Sequence, residues 1–194
     1  MCAISAAATS TIHDEHFVNG VDVDKVHISI NAIEENPNLA KFKFHLSNRW
    51  ISGGRSHSTV SDFYGAGKNN FHLKPFEINS DEPAILAGSD TAANPVEQLL
   101  NSLAACLTTS LIYHAALTGI EIEELESELE GDIDVRGFLG LSDKVSKGYE
   151  DIHVKFKVKT DEENLEKLRG FTKYSPVFGV ITNETPVKVS IERK

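Results

Sequence analysis

The sequence predicts an α+β domain: a curved, antiparallel-rich sheet around one long central helix. Three observations predict it. An unbroken helical pattern of apolar residues runs from Pro95 to about Thr118. Residues 120–136 and 152–158 alternate apolar with charged positions, the signature of half-buried strands. Helical and strand patterns come in separate runs instead of a repeating βαβ series. At 194 residues, one main domain is the expectation, and 40% hydrophobic content is that of a folded chain. A formal charge of −10 argues against non-specific binding to nucleic acid or an anionic membrane, which needs a basic face. The two cysteines, Cys2 and Cys106, are too few for a disulfide scaffold or a Cys-rich zinc site and suit a reducing compartment.

Residues 1–16 read as a loose tail. Val23, Val26, Ile30 and Ile33 follow at helical spacing and stop before Pro37. Residues 1–38 are therefore taken as tail plus amphipathic helix, and 39–194 as a single domain. Phe42, Phe44 and Leu46 alternate with Lys41, Lys43 and His45, a strand running toward Trp50. Gly53-Gly54 makes a turn, and 56–64 and 71–79 are further strands.

The long helix opens with Asn94 as N-cap and Pro95 at its first position, and Gly119 stops it. Its apolar positions cover more than one stripe, which in so small a chain predicts a partner subunit packed against it. Polar residues (Asn101, Ser102, Thr108, Thr109, Ser110, His114) interrupt it, so it reads as a buried helix and not a membrane span.

Between 120 and 136, Leu125, Leu129, Ile133 and Val135 share one parity, while Glu124, Glu126, Glu128, Glu130, Asp132 and Asp134 share the other. Such a row of like charges needs compensation from neighbours. On the 152–158 strand, Ile152, Val154, Phe156 and Val158 point in, and His153, Lys155, Lys157 and Lys159 point out to supply it. With Lys41, Lys43 and Lys188 on two more strands, the expectation is one curved sheet whose basic strands flank the acidic one. A cation site is the weaker reading, since calcium sites gather their oxygens from a tight loop. Thr160 and Glu163 then form a capping box for a helix carrying Leu165, Leu168 and Phe171. Ser175-Pro176 starts another helix, and Val187, Val189 and Ile191 close the chain as an alternating strand.

Most catalytic signatures are missing: there is no GxGxxG, P-loop, GxSxG or HExxH. The histidines (13, 16, 27, 45, 57, 72, 114, 153) never fall at metal-ligand spacing beside a second ligand, and His13 with His16 is a weak pair in the tail. Cys106, midway along the long helix, is the reactive candidate. Its plain reading is a small core hydrophobe. Against that, Ser102 lies one turn before it and Thr109 and Ser110 one turn after. A reactive thiol needs such polarity, or a cation, to hold its thiolate.

Asn94-Pro95-Val96-Glu97-Gln98-Leu99-Leu100, followed by Ser102-Leu103-Ala104-Ala105-Cys106-Leu107, resembles the central helix of the OsmC/Ohr family, the osmotically inducible and organic hydroperoxide resistance proteins. The resemblance extends over about residues 40–194, through Arg136-Gly137-Phe138-Leu139-Gly140 and Ser175-Pro176-Val177. It implies an intertwined homodimer and a thiol peroxidase in which a low-pKa cysteine, here Cys106, becomes a sulfenic acid and condenses with a second cysteine. That second position is Ser175 here, and Cys2 is a poor substitute. The family's acid follows Asn-Pro directly, at Val96, and Glu97 is one place late. The family's activating arginine follows a Gly-Gly pair, as Arg55 does, with Arg49 a rival.

Two functions are therefore expected. One is reduction of organic hydroperoxides, in oxidative stress defence, through Cys106 assisted by Arg55, with an external thiol resolving the sulfenic acid. The other is a non-catalytic protein of the same fold binding a small apolar ligand at the dimer interface. Neither needs a metal or cofactor. Residues 1–12 lack the basic start of a signal peptide, and no hydrophobic stretch precedes Cys2, so a cytoplasmic protein is expected.

Overall fold

A computed structural model describes residues 16–194 and has the α+β architecture that the patterns predict. Cys2, His13 and most of the expected tail lie outside the described residues. Strands β1 (Phe17–Val18) and β2 (Val21–Asp22) form a hairpin over Asn19-Gly20. Both turn residues have positive φ, 53° and 75°, as a primed two-residue turn requires. The Asn19 amide donates to the Ile120 carbonyl (2.9 Å), and its oxygen accepts from the Ile122 N–H (2.8 Å). Val21 and Val23 pack with Ala116, so this hairpin is fastened to the far end of the central helix. Helix α1 (Val23–Glu35), capped by Asp22, ends before Pro37 as its spacing predicts.

A four-stranded antiparallel sheet follows: β3 (Lys43–Phe44), β4 (Ser47–Ser52), β5 (Arg55–Gly65) and β6 (Lys68–Ser80). β5 is its centre, with β6 on one edge and β3 then β4 along the other. The strand expected from Phe42 toward Trp50 is thus two strands, and Gly53-Gly54 makes the predicted turn between β4 and β5. Phe42, Phe44 and Phe63 stack at centroid distances of 5.7–6.3 Å, yet much of this aromatic face is exposed.

Between this sheet and the long helix, the loop is organised by one carboxylate. Asp81 is fully buried and accepts from the Thr91 hydroxyl (2.7 Å) and from the N–H groups of Thr91 (3.0 Å), Glu82 (2.8 Å) and Ser89 (3.3 Å). Those donors, the Thr91 hydroxyl foremost, hold its pKa down at about 2 despite burial. Gly88 completes the loop, since a Cβ there would lie 1.7 Å from the Glu82 carbonyl oxygen. A carboxylate held below its unfolded value of 3.8 adds stability above that value and loses it as pH falls toward about 2. Asp81→Asn should therefore lower the melting temperature at neutral pH, and the gap to wild type should close on acidification toward about pH 2. Equal melting temperatures for the two proteins at pH 7 would rule this role out.

Helix α2 (Pro95–Leu117) is the predicted long helix, and Gly119 ends it at φ +70°. β7 (Glu124–Ile133) and β8 (Tyr149–Lys159) pair antiparallel with the basic face opposite the acidic one, as expected. Glu124 faces Lys159, Glu126 faces Lys157, Glu128 faces Lys155 and Glu130 faces His153. The ion pairs formed run diagonally, Lys157 to Glu128 at 2.7 Å and Lys159 to Glu123 at 2.5 Å. Each is exposed and contributes roughly 0.2–1 kcal/mol, enough to offset repulsion within the acidic row but not to drive folding. Asp134, the last acid of the series, instead caps a short helix, α3 (Val135–Phe138).

Three expectations fail here. The strands do not make one sheet: among the described residues no ladder joins β7 or β8 to the β3–β6 sheet, so the acidic–basic pair stands separate from it. The segment at Val187, Val189 and Ile191 is not a strand, and these side chains are 82%, 81% and 94% exposed. Nor do Thr160 and Glu163 form a capping box. The Thr160 hydroxyl donates to the Glu121 carbonyl (2.7 Å), and a 3-10 turn leads into helix α4 (Leu165–Phe171). Helix α5 (Pro176–Thr182) does begin at Ser175, whose hydroxyl accepts from the Phe178 N–H. The core forms where the second half of α2 meets β7, β8 and α4, around Leu111, Ala115, Ile120 and Leu168.

Candidate functional site

The local sequence fixes how α2 is held. Asn94 and Glu97 bond reciprocally at 2.8 Å, side chain to backbone in both directions, a full capping box behind Pro95. The Gln98 amide donates to the Asn79 carbonyl (2.8 Å) and the Ser80 hydroxyl (3.0 Å), tying the end of β6 to the first turn. On the other side the Tyr149 hydroxyl donates to the Val96 carbonyl (2.9 Å). Burial, and then the nearby Glu97 charge, push the Tyr149 pKa up. Gly131 makes room for this reach, since a Cβ there would meet the Tyr149 ring at 2.7 Å.

Cys106 stands at a boundary along this helix. Before it, Leu99, Asn101, Ser102 and Ala105 are exposed and Leu103 is buried; after it, Leu107, Ser110, Leu111, Ala115 and Ala116 are buried. The cysteine itself is partly buried and a free thiol. By length and composition α2 would suffice to cross a membrane, but only 33% of its most apolar 18-residue stretch is buried in the chain, and its covered side packs on β7, α4 and α5.

The polar neighbours of Cys106 act differently from the expectation. The Ser102 hydroxyl donates to the Gln98 carbonyl (2.9 Å) and the Thr109 hydroxyl to the Ala105 carbonyl (3.0 Å). Their protons are committed to the helix backbone, so neither offers a donor to a thiolate. Glu97 is committed too, since its carboxylate closes the capping box at the helix start. Val96 supplies only a carbonyl, already bonded to Tyr149.

Arg55 opens β5 and Arg49 lies in β4; both are exposed, on the sheet fastened to α2 through Gln98. Among the described residues, no hydrogen bond or ion pair joins either arginine to Cys106. Ser175 is buried at the start of α5, which packs along α2, and its oxygen caps α5. Within one chain, then, the Ser175 element packs on the helix that carries Cys106, and neither arginine bonds the thiol.

Two features were beyond the reach of sequence spacing. His114, in the last turns of α2, is sandwiched by Tyr174 (4.2 Å between centroids) and Phe171 (5.4 Å). Its burial lowers its pKa, so it packs as a neutral ring. A cavity of about 480 Å³ lies between α2, β8, α4 and α5, walled by Leu107, Leu111, Phe156, Val158, Leu168 and Phe178. Among the described residues, no cluster of three His, Cys, Asp or Glu is placed to hold a metal ion.

The family model for OsmC-like proteins matches residues 88–190. Among solved structures, the chain resembles an OsmC-like protein from Mycoplasma pneumoniae, with a TM-score of 0.56 and 15% identity over 73% of this chain and 89% of that one. It also resembles an organic hydroperoxide resistance protein, OsmC, from Legionella pneumophila, with a TM-score of 0.50 and 16% identity over 71% and 89% of the two chains. At these identities the likeness establishes the fold. No curated protein matches the chain.

Proposed function

The chain belongs to the OsmC-like protein family, and from that membership we propose that it reduces organic hydroperoxides through one reactive cysteine, Cys106. The observation that carries the reading is the position of this thiol: partly exposed, midway along α2, where the helix emerges from its own core. The Cys106 thiolate attacks a peroxide oxygen; an S–O bond forms, the O–O bond breaks, and the leaving alkoxide takes a proton to become the alcohol. Cys106 is left as a sulfenic acid. Ser175 carries no thiol and its oxygen is engaged as a helix cap, so an external thiol must attack the sulfenic sulfur and release water. A second thiol then regenerates Cys106 and leaves with the first as a disulfide. Treatment with cumene hydroperoxide should give a sulfenic acid at Cys106 that dimedone traps and that, without dimedone, persists until an external thiol is added. If Cys106 stays a thiol under excess peroxide, the reading is wrong.

The working unit in this reading is a homodimer. Three features support it: the uncovered first half of α2, the exposed aromatic face of the β3–β6 sheet, and an uneven charge distribution. Residues 41–80 carry Lys41, Lys43, Arg49, Arg55, Lys68 and Lys74 against Asp62 and Glu77, in a chain whose net charge is −10. A basic sheet on an acidic body is complementary to a second copy of itself, and such pairing brings Arg55 of the partner subunit toward Cys106. Sedimentation should show a dimer at micromolar concentration whose association weakens as salt rises. A monomer at every concentration would refute the arrangement and leave Cys106 without a cation.

A second reading is favoured by one observation: Val96 has no carboxylate, and the Glu97 carboxylate is locked in the capping box. If peroxide consumption proves unmeasurable while an apolar molecule co-purifies with the protein, the chain is a binding member of the family.

A further inference from the structure

The Arg55 guanidinium and the Glu82 carboxylate are opposite charges with no hydrogen-bond or ion-pair partner among the described residues. They belong to two segments that touch. A Cβ on Gly54, the residue before Arg55, would lie 2.9 Å from the Glu82 Cγ and 3.3 Å from its Cβ. Glu82 is thus seated, half-buried, against the Gly53-Gly54 turn that opens β5. On the same turn the Trp50 indole N–H donates to the Gly53 carbonyl (3.0 Å). Two side chains therefore hold the turn in front of Arg55.

Glu82 itself is fixed through its backbone. Its N–H donates to the Asp81 carboxylate (2.8 Å), and its carbonyl accepts from the Asp90 N–H (3.1 Å). Gly88 packs on that carbonyl too closely for any Cβ. The loop keeps two non-glycine residues at positive φ, Ala87 at 62° and Asp90 at 54°, a strained conformation that persists only where its surroundings enforce it. What this leaves free of Glu82 is its carboxylate. Other acids of the region are spent or distant. Asp81 takes four donors, Glu97 closes the capping box and Asp62 bonds His45 (2.7 Å). Glu77 stands opposite Thr59, four positions along β5 from Arg55, or about 13 Å.

We propose that Glu82 is a positioning residue for Arg55: its carboxylate pairs with the guanidinium and orients it toward the Cys106 sulfur. It supplies the acid that Val96 lacks and that Glu97 has committed to the helix start. The pairing rests on the peroxidase reading above. A guanidinium presents donors along more than one edge, so one edge can bond Glu82 while another faces a thiolate or a peroxide oxygen. Both residues lie in one chain, so the pairing holds whichever copy's Cys106 the arginine serves.

The test is kcat/KM for cumene hydroperoxide, measured on the full-length protein with dithiothreitol as reductant. Glu82→Gln keeps the packing on Gly54 and should lower kcat/KM by about tenfold, with the melting temperature within about 2 °C of wild type. Arg55→Gln should lower it at least as much, and adding Glu82→Gln to Arg55→Gln should cost nothing more. Glu82→Asp, which keeps the charge, should recover part of the loss. Glu77→Gln, an acid removed from the same sheet, should leave the rate unchanged. The comparison between the two backgrounds decides the matter even if Glu82→Gln is less stable. A Glu82→Gln or Arg55→Gln protein as active as wild type overturns the pairing. So does a further tenfold loss when Glu82→Gln is added to Arg55→Gln, because Glu82 then acts without the arginine. A wild-type protein that consumes no peroxide overturns the peroxidase reading and the pairing together, whereas an active wild type confines any failure to Glu82.

Discussion

Cys106→Ser should lower thiol-dependent hydroperoxide consumption by at least about a thousandfold, because it removes the atom that forms the covalent intermediate. The size of the effect follows from the neighbourhood. A serine hydroxyl needs an adjacent base to become a nucleophile. The Ser102 and Thr109 hydroxyls donate to backbone carbonyls, and the helix carboxylate, Glu97, is held in the capping box. Neither those two hydroxyls nor that carboxylate is free to act as the base a serine needs. The fold should survive, since the side chain is partly buried and the change is nearly isosteric. The measurement is peroxide loss with dithiothreitol as reductant, alongside dimedone labelling and a thermal melt. A variant that melts like wild type and retains its rate would show that the chemistry lies elsewhere. A variant that melts like wild type and is inactive would fix Cys106 as the nucleophile.

The helix and the charged ladder were legible because each is written by local rules. Asn94, Pro95 and Gly119 mark the ends of α2, and the period-two alternation of acid and base across β7 and β8 sets both strands and their register. What remained hidden depends on long-range placement. The Asn19-Gly20 turn carries a strong hairpin signal, but its flanking strands are two residues each, too short to show alternation. Asp81 looks like any loop acid until four donors close on it from residues up to 91.

The same distinction divides the candidate site. Cys106 was found by its place in a local motif. Glu97, one place late in the motif, is committed by the N–H of Asn94, three residues back along the chain. Arg55 sits on a sheet that meets its own α2 through Gln98, so no spacing within the sequence could have told whether it reaches the thiol. The failed strand at Val187–Ile191 belongs here too: its pattern is local, but pairing requires an edge more than twenty-five residues away in sequence.

Leu111→Ala should be the most destabilising single truncation among the helix positions considered, at about 2–5 kcal/mol, with a melting temperature lower by roughly 5–15 °C. Leu111 is 3% exposed and packs with Ala115, Ile120 and Leu168, against which Leu125, Phe156, Val158 and Phe171 close. It therefore joins α2 to β7, β8 and α4 at a single point. It also walls the cavity of about 480 Å³, so its truncation enlarges a void that the surrounding backbone already fails to fill. Collapse around the missing atoms is then limited, and the cost lies in the upper part of the range. Leu111→Met keeps most of the volume and should cost under about 1.5 kcal/mol. Leu141→Ala, at a side chain 71% exposed beyond α3, should stay within about 0.5 kcal/mol of wild type. Thermal melts of the three variants must fall in that order. A Leu111→Ala protein as stable as Leu141→Ala would mean that the second half of α2 is not the core of the domain. The truncated protein should still oxidise at Cys106 well below its melting temperature, because the thiol lies on the uncovered stretch of the helix and Leu111 on the buried one. Loss of peroxide reactivity in a folded Leu111→Ala protein would instead show that the packing beneath α2 sets the position of the sulfur.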